Sequence, residues 1–492
     1  MRALALWLSL CLGACTGVIG TSGGSGGAGG AGGGGAAAGG GSSAGGGAAT
    51  GGGSSTGGGT GGGATGGGGG VVGGGSGGGA AGGAGGGAGC LVFDAGVGVP
   101  TGAMLSLSPG TTLDSVLAGA QPGDQVVVHG GSYPSETITR AFAGDVYLVA
   151  AAGETPIFHG LQLHGASHLV LQGLTFDAVV NLNGASFIVF DGVTLDVGSA
   201  TTSGLELFNS NGGPTHHVRV LRSKVAGGER TIFLGGSFGP EATWNHDLEF
   251  RKNEFICGTH NCFQFSGGRD AVIEDNDFHD PKGGGVLTAG AARVQILRNR
   301  MRGDATVSSS AVQLATPGME WDNYAGVEYM LSTDITVANN LIVGWGGPGI
   351  ELDAVDRVAL VYNTVANCAS GLHTWARTPH DQQNNVILSG NHDVWLWNSI
   401  LPSVQLDAAD PRPTFESNNQ VQQGGGGMNL ITSAPQWVDT VDFVPAPGSA
   451  AIDAARVDAP IDAGTPQVDR RGSPRGSKPD LGAWEVEAPA CP

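Results

Sequence analysis

The chain is 492 residues long and carries 42 acidic against 22 basic side chains, a formal net charge of −20. A surface this negative excludes nucleic acid and anionic lipid headgroups as partners, and an anionic polysaccharide would need a local basic patch or a bridging cation. The chain has 94 glycines and most of the excess falls before residue 90, so composition divides the chain before any motif is read.

Residues 1–14 hold Arg2 and an apolar run from Ala3 to Leu12, the pattern of an export signal. The phrase Leu12-Gly13-Ala14-Cys15 resembles a bacterial lipobox, which implies cleavage before Cys15 and a lipid on its thiol. A plain secretory signal with a chance Cys is the alternative. The lipid would be the only membrane attachment and would place an exported protein at the outer membrane or cell surface. Residues 15–89 contain no charged side chain and can bury no core, so they read as a disordered Gly-rich tether. Random-coil scaling gives it a reach of roughly 45–50 Å.

Residues 90–165 read as an amino-terminal cap and first coils. In PGTTLDSVLAGA (109–120), Leu113, Val116, Leu117 and Ala120 share one helical face, with Thr111 and Asp114 at capping spacing. A short helix there can close a stack of strands that would otherwise expose its core and edges. PGDQVVVHGGSY (122–133) then begins the strands.

Residues 166–408 repeat one unit: an apolar strand, a two-residue corner, an Asn, a polar residue and a large apolar residue. AVIEDNDF (271–278) is the clearest copy. The Asn residues are Asn253, Asn276, Asn299, Asn340, Asn363 and Asn398, and three of their five steps are 23 residues. A strand-bearing period of this length signals a solenoid. In VRVLRSKV, Val218 and Val220 alternate as in a strand, whereas Val225 follows at an odd spacing, so the chain must bend between them. Leu174 and Val193 hold the Asn position in earlier coils, so it points inward. Asn tolerates the left-handed backbone of a tight corner, and successive copies would stack as a buried amide ladder.

A further strand of the form apolar-x-apolar follows each unit, for example Leu205/Leu207, Ile350/Leu352 and Leu372/Thr374. Three short strands per coil would stack their inward side chains into one core. Here the sequence resembles the right-handed parallel β-helix repeat proteins, which include polysaccharide lyases, pectin-type hydrolases and non-catalytic surface proteins. Residues 122–133 through SHLVLQGLTF (167–176) resemble the first coils of chondroitinase B-like lyases. In residues 409–492, APQWVDTVDFVPAPGSAAIDAA (434–455) and PDLGAWE (479–485) resemble the "SPAIDAG…DIGAYE" closing segment of bacterial surface β-helix proteins. Ala455 and Trp484 depart from it. The expected fold is therefore an all-β right-handed parallel β-helix with a short amino-terminal capping helix. The lyases rely on a Lys and Arg pair over a strand face. No Lys lies on the corresponding face here, and the pectin-hydrolase motifs are absent.

Cys257 and Cys262 bracket a small loop. In an exported protein they suit a disulfide, with two free thiols or a metal site with His260 as alternatives. Cys368 reads as a buried thiol, and Cys90 and Cys491 could pair only if the tail folds back. The basic residues Arg222, Lys224, Arg251, Lys252, Arg298 and Arg300 lie near Glu254, Glu274, Asp275 and Asp277 at equivalent corners. They read as an ion ladder on the solvent face.

The long insertions all leave one corner, after the apolar-x-apolar strand, and function concentrates in such loops. They carry Trp244, His246, Trp321, Tyr324 and Trp375, which suit sugar rings or else pack down their own loops. The outward row of the preceding strands runs Glu206, Phe233, Gln264, Leu287, Gln313, Glu351, His373 and Gln405. Two residues on, the same face shows Asp353, Trp375 and Asp407. Three readings stay open. Glu351, His373 and Arg377 could serve β-elimination in a uronate polysaccharide, with His373 as base and Arg377 on the carboxylate. Glu351, Asp353 and Asp407 could hold Ca²⁺. Or the face is merely solvated. The expected partner is a polysaccharide or other glycan, bound through Trp375, Trp321, Tyr324, Trp244, His246 and Gln313. A lyase and a non-catalytic adhesin or display protein are the rivals.

Overall fold

The computed structural model describes residues 96–198, 203–209, 213–235, 241–316, 331–379, 388–409, 413, 415–457 and 467–486. The readings for Cys15, the tether, Cys90, Cys491, Trp321 and Tyr324 lie outside the described residues.

The helix Leu113–Leu117 buries Leu113 and Leu117 against the first strands. Its N-cap is Thr112 rather than Thr111, accepting from Ser115 N–H, while the Glu136 carboxylate takes the N–H groups of Leu113 and Asp114 at 2.8 and 3.2 Å. A carboxylate from a later strand thus satisfies the helix start and docks it.

From there each coil supplies strands to three parallel sheets. Sheet one holds Ser167–Gln172, Ser186–Asp191, His216–Leu221 and onward to His392–Trp397. Sheet two holds Thr194–Asp196, Lys224–Ala226, Glu254–Ile256 and onward to Thr364–Ala366. Sheet three holds Val180–Asn183, Leu205–Phe208, Arg230–Leu234 and onward to Ser370–Trp375. Where the insertion is short, one strand runs round the corner from sheet three into sheet one, as in Asn261–Glu274 and Gly284–Leu297. Register places Leu205, Ile232, Phe263, Val286, Val312, Ile350, Leu372 and Val404 opposite one another. All point inward and are at most 4% exposed. Each such side chain contributes roughly 1.5–3 kcal/mol by burial.

The corner from sheet one to sheet two explains the odd spacing. One residue per coil adopts positive φ: Arg222 48°, Lys252 56°, Asp275 56°, Arg298 52°, Asn339 57° and Tyr362 53°. The residue after it then points inward: Ser223, Asn253, Asn276, Asn299, Asn340 and Asn363. The left-handed conformation therefore belongs to the residue before each ladder Asn, which corrects the sequence expectation. The Asn supplies the amide. Asn276 Oδ1 accepts from the N–H and Nδ2 of Asn253 at 2.9 and 3.0 Å. Asn276 Nδ2 donates to Phe250 O and to Asn299 Oδ1, both at 3.0 Å.

Asn398 is not in the ladder. Its φ is 54°, the corner conformation, and Ser399 takes the inward place. Ser399 Oγ accepts from Asn363 N–H at 3.2 Å, and its own N–H donates to Asn419 Oδ1 at 3.0 Å. Backbone phase decides this: the inward place lies as far past Leu396 as Asn363 lies past Leu360. Asn398 instead holds Arg456, with Oδ1 and Nδ2 each 2.8 Å from its backbone N–H and O.

The carboxy-terminal segment lies across the outer face of sheet two. Phe443, Ala483 and Trp484 pack on Leu341 and Ala366, and Trp484 Nε1 donates to Asp442 O at 2.7 Å. Outward positions of sheet two are accordingly charged in uncovered coils (Lys224, Glu254, Asp277) and apolar where covered (Leu341, Ala366). Arg475 is inserted under this segment, 3.7 Å from the ring centre of Tyr362. Cys257 and Cys262 form a disulfide, and the thiol of Cys368 is pushed up to about 11 by burial. The charge ladder is present, with Lys224 bridging Glu254 at 3.3 Å and Arg302 bridging Asp277 at 2.7 Å. Part of it is not solvent-facing: Arg298 and Glu274, 2.6 Å apart, have side chains only 6% and 4% exposed.

Candidate functional site on the outer face of sheet three

Inward residues at Leu352 and Thr374 force their neighbours outward, so consecutive coils stack Gln313, Glu351, His373 and Gln405 in one row. The second row stacks Ala315, Asp353 and Trp375.

Glu351 is the centre of this face. Its Oε1 accepts from Gln313 Nε2 at 3.1 Å and from Trp375 Nε1 at 2.9 Å. Its Oε2 accepts from Ser310 Oγ. Three donors from the two flanking coils therefore hold one half-buried carboxylate. The indole is fixed in turn: the His373 ring lies 4.4 Å from it, tilted by 46°, and the Arg377 guanidinium sits 5.8 Å from its centre. Arg377 also pairs with Asp353 at 3.2 Å, whose side chain is 2% exposed. Asp353 thus lies beneath the face rather than on it. Asp407 accepts from Ala376 N–H at 3.5 Å and Ala409 N–H at 3.3 Å.

Glu351, His373, Trp375, Arg377 and Gln313 are therefore brought together. A Ca²⁺ site is not: among the described residues no three His, Cys, Asp or Glu side chains are gathered to hold a cation. Glu351, Asp353 and Asp407 each turn to a different protein donor. Trp244 is corrected as well. It is 3% exposed and packs on Ala292, so it offers no ring to a ligand. His246 lies on sheet one, stacked 5.0 Å from His216 and bonded to Asp247 at 2.8 Å. Burial, then the neighbouring His246 and His217, holds the His216 imidazole below its ordinary value. Ser310 was missed. It is 41 residues before Glu351, and no local pattern marks a hydroxyl that reaches across coils.

A family model described as "Right handed beta helix region" matches residues 244–434. The fold is a right-handed parallel β-helix. No curated protein matches the sequence. Among solved structures, this β-helix is similar to pectate lyase Pel9A, with 12% identity and a TM-score of 0.42, covering 79% of this chain and 97% of that one. It is also similar to the A-module of the Azotobacter vinelandii mannuronan C-5 epimerase AlgE4, with 12% identity and a TM-score of 0.39, covering 65% and 87%. A third is the Streptococcus pneumoniae surface protein and adhesin PfbA, with 12% identity and a TM-score of 0.39, covering 63% and 86%.

Proposed function

We propose that this β-helix is an exported, lipid-anchored protein that binds carbohydrate on the outer face of sheet three. The observation that carries the reading is the fixed Trp375 ring, hydrogen-bonded to Glu351 beside His373. An immobilised aromatic next to an anchored carboxylate suits a sugar, which offers an apolar face and hydroxyl donors together. Little side-chain entropy is then lost on binding. Binding is favoured over β-elimination because Arg377 already pairs with Asp353, so it would have to leave that carboxylate to neutralise a uronate. The phrase Leu12-Gly13-Ala14-Cys15 supports the lipid anchor and, with it, a place at the cell surface.

The deciding experiment is a glycan array with residues 91–492, read alongside release of unsaturated, ultraviolet-absorbing products. Binding without products is expected. Products abolished by His373→Ala would replace this reading with a lyase, and neither signal would leave a display protein. For the anchor, Cys15→Ser should stop the chain partitioning with membranes, and unchanged partitioning would sink it.

A further inference from the structure

The outward row of sheet three contains one arrangement twice. Asn181, Glu206 and Phe233 follow one another in successive coils, and so do Gln313, Glu351 and His373. In both, the amide donates to the carboxylate of the next coil: Asn181 to Glu206 at 2.9 Å and Gln313 to Glu351 at 3.1 Å. The ring that follows has a second ring beside it, Phe208 at 5.7 Å from Phe233 and Trp375 at 4.4 Å from His373. A guanidinium lies over each station, Arg230 at 4.9 Å from Phe233 and Arg377 at 5.8 Å from Trp375. Each guanidinium has its own carboxylate, Glu229 at 3.3 Å and Asp353 at 3.2 Å.

We propose that the two stations bind a single extended neutral polysaccharide laid along the solenoid axis. This rests on the carbohydrate reading above and adds the ligand's charge class and its geometry. Register separates Phe233 from His373 by the steps through Gln264, Leu287, Gln313 and Glu351, about 24 Å at 4.7–4.9 Å per coil. The coil rise is close to the length of one pyranose in an extended chain, so successive sugars fall in phase with successive coils. Between the stations the row holds Gln264, Leu287 and Gln313, none of them charged; Leu287 is buried, and the Gln264 amide oxygen accepts from Arg230 Nε. At the stations the anchored carboxylates Glu206 and Glu351 accept from hydroxyls and repel carboxylates. A uronate polymer would meet that repulsion with both guanidiniums already paired. A neutral glycan meets none. Two weak stations on one rigid face convert the second contact into an intramolecular one, so affinity depends steeply on chain length.

The test measures binding of the full chain to an unsubstituted neutral β-glucan and to a polyuronate of matched length. It also uses neutral oligosaccharides too short, and others long enough, to span both stations. Neutral chains that span them should bind about 100-fold or more tightly than short ones. Phe233→Ala and Trp375→Ala should each return the long chain to short-oligomer affinity, while Phe233→Tyr retains it. Phe187→Ala, at a corner of sheet one and 39% exposed, should change nothing. Absence of any length dependence, or an effect of Trp375→Ala without one of Phe233→Ala, overturns the two-station arrangement while carbohydrate binding stands. Tighter binding of the polyuronate overturns the neutral class. Failure to bind any glycan removes the carbohydrate reading itself.

Discussion

Asn276→Ala probes the internal ladder where its connections are complete on both sides. The side chain is 1% exposed and makes four hydrogen bonds, two through each amide atom. Truncation leaves the Asn253 N–H, one Asn253 amide hydrogen and the Phe250 carbonyl without this partner, all inside the coil. A buried polar group left unpaired costs about 1–3 kcal/mol. Three such groups would exceed that range, but rotation of the Asn253 amide can recover part of the loss, so we expect about 3–5 kcal/mol. The neighbour Asp277 provides the contrast. Its side chain is 39% exposed and bridges Arg302 at 2.7 Å on the solvent face, so Asp277→Ala should cost under about 1 kcal/mol. Urea unfolding followed by circular dichroism gives both values from the shift in midpoint at constant slope. Equal shifts for the two variants, or one under about 1 kcal/mol for Asn276→Ala, would refute the inward ladder.

Asn398→Ala should loosen the closing segment by removing both bonds to Arg456, speeding proteolysis there, whereas Asn398→Gly should spare the corner conformation while losing the same bonds; identical behaviour of the parent would show that Arg456 is held otherwise. Replacing Cys257 and Cys262 together by Ser opens a short loop and should lower stability by about 2 kcal/mol, read as a difference from the parent that disappears in reductant. The Arg357 guanidinium, 2.6 Å from Asp334, holds that carboxyl below its ordinary value. Because the folded pKa is the lower one, the stabilisation is present above about pH 4 and is lost as pH falls through the folded value. The stability gap between the parent and Arg357→Ala should therefore narrow on acidification, and a gap of constant size would contradict the assignment.

The coil architecture was legible because its determinants are local and repeated. Strand parity, the odd step between Val220 and Val225 and the recurrence of Asn each lie within one short window, and stacking then forces them into register. That same register places Glu351 beside His373. Residue type misled where phase and chemistry disagreed: Asn398 looks like a ladder Asn, yet the backbone reaches its inward position at Ser399. Which side chains bond to one another at the site was beyond reach. Ser310 and Trp375 meet on Glu351 from the two flanking coils, and Arg377 meets Asp353 from the next coil. Burial at the surface was equally hidden. Whether Trp244 stands up to a ligand or lies down on Ala292 depends on the small side chain beneath it, which the neighbouring coils supply. The sequence by itself therefore determined which residues face in and out along each coil, since side-chain alternation is a property of the strand. Only the tertiary structure decided which outward groups grip one another, since those contacts join residues that no local rule connects.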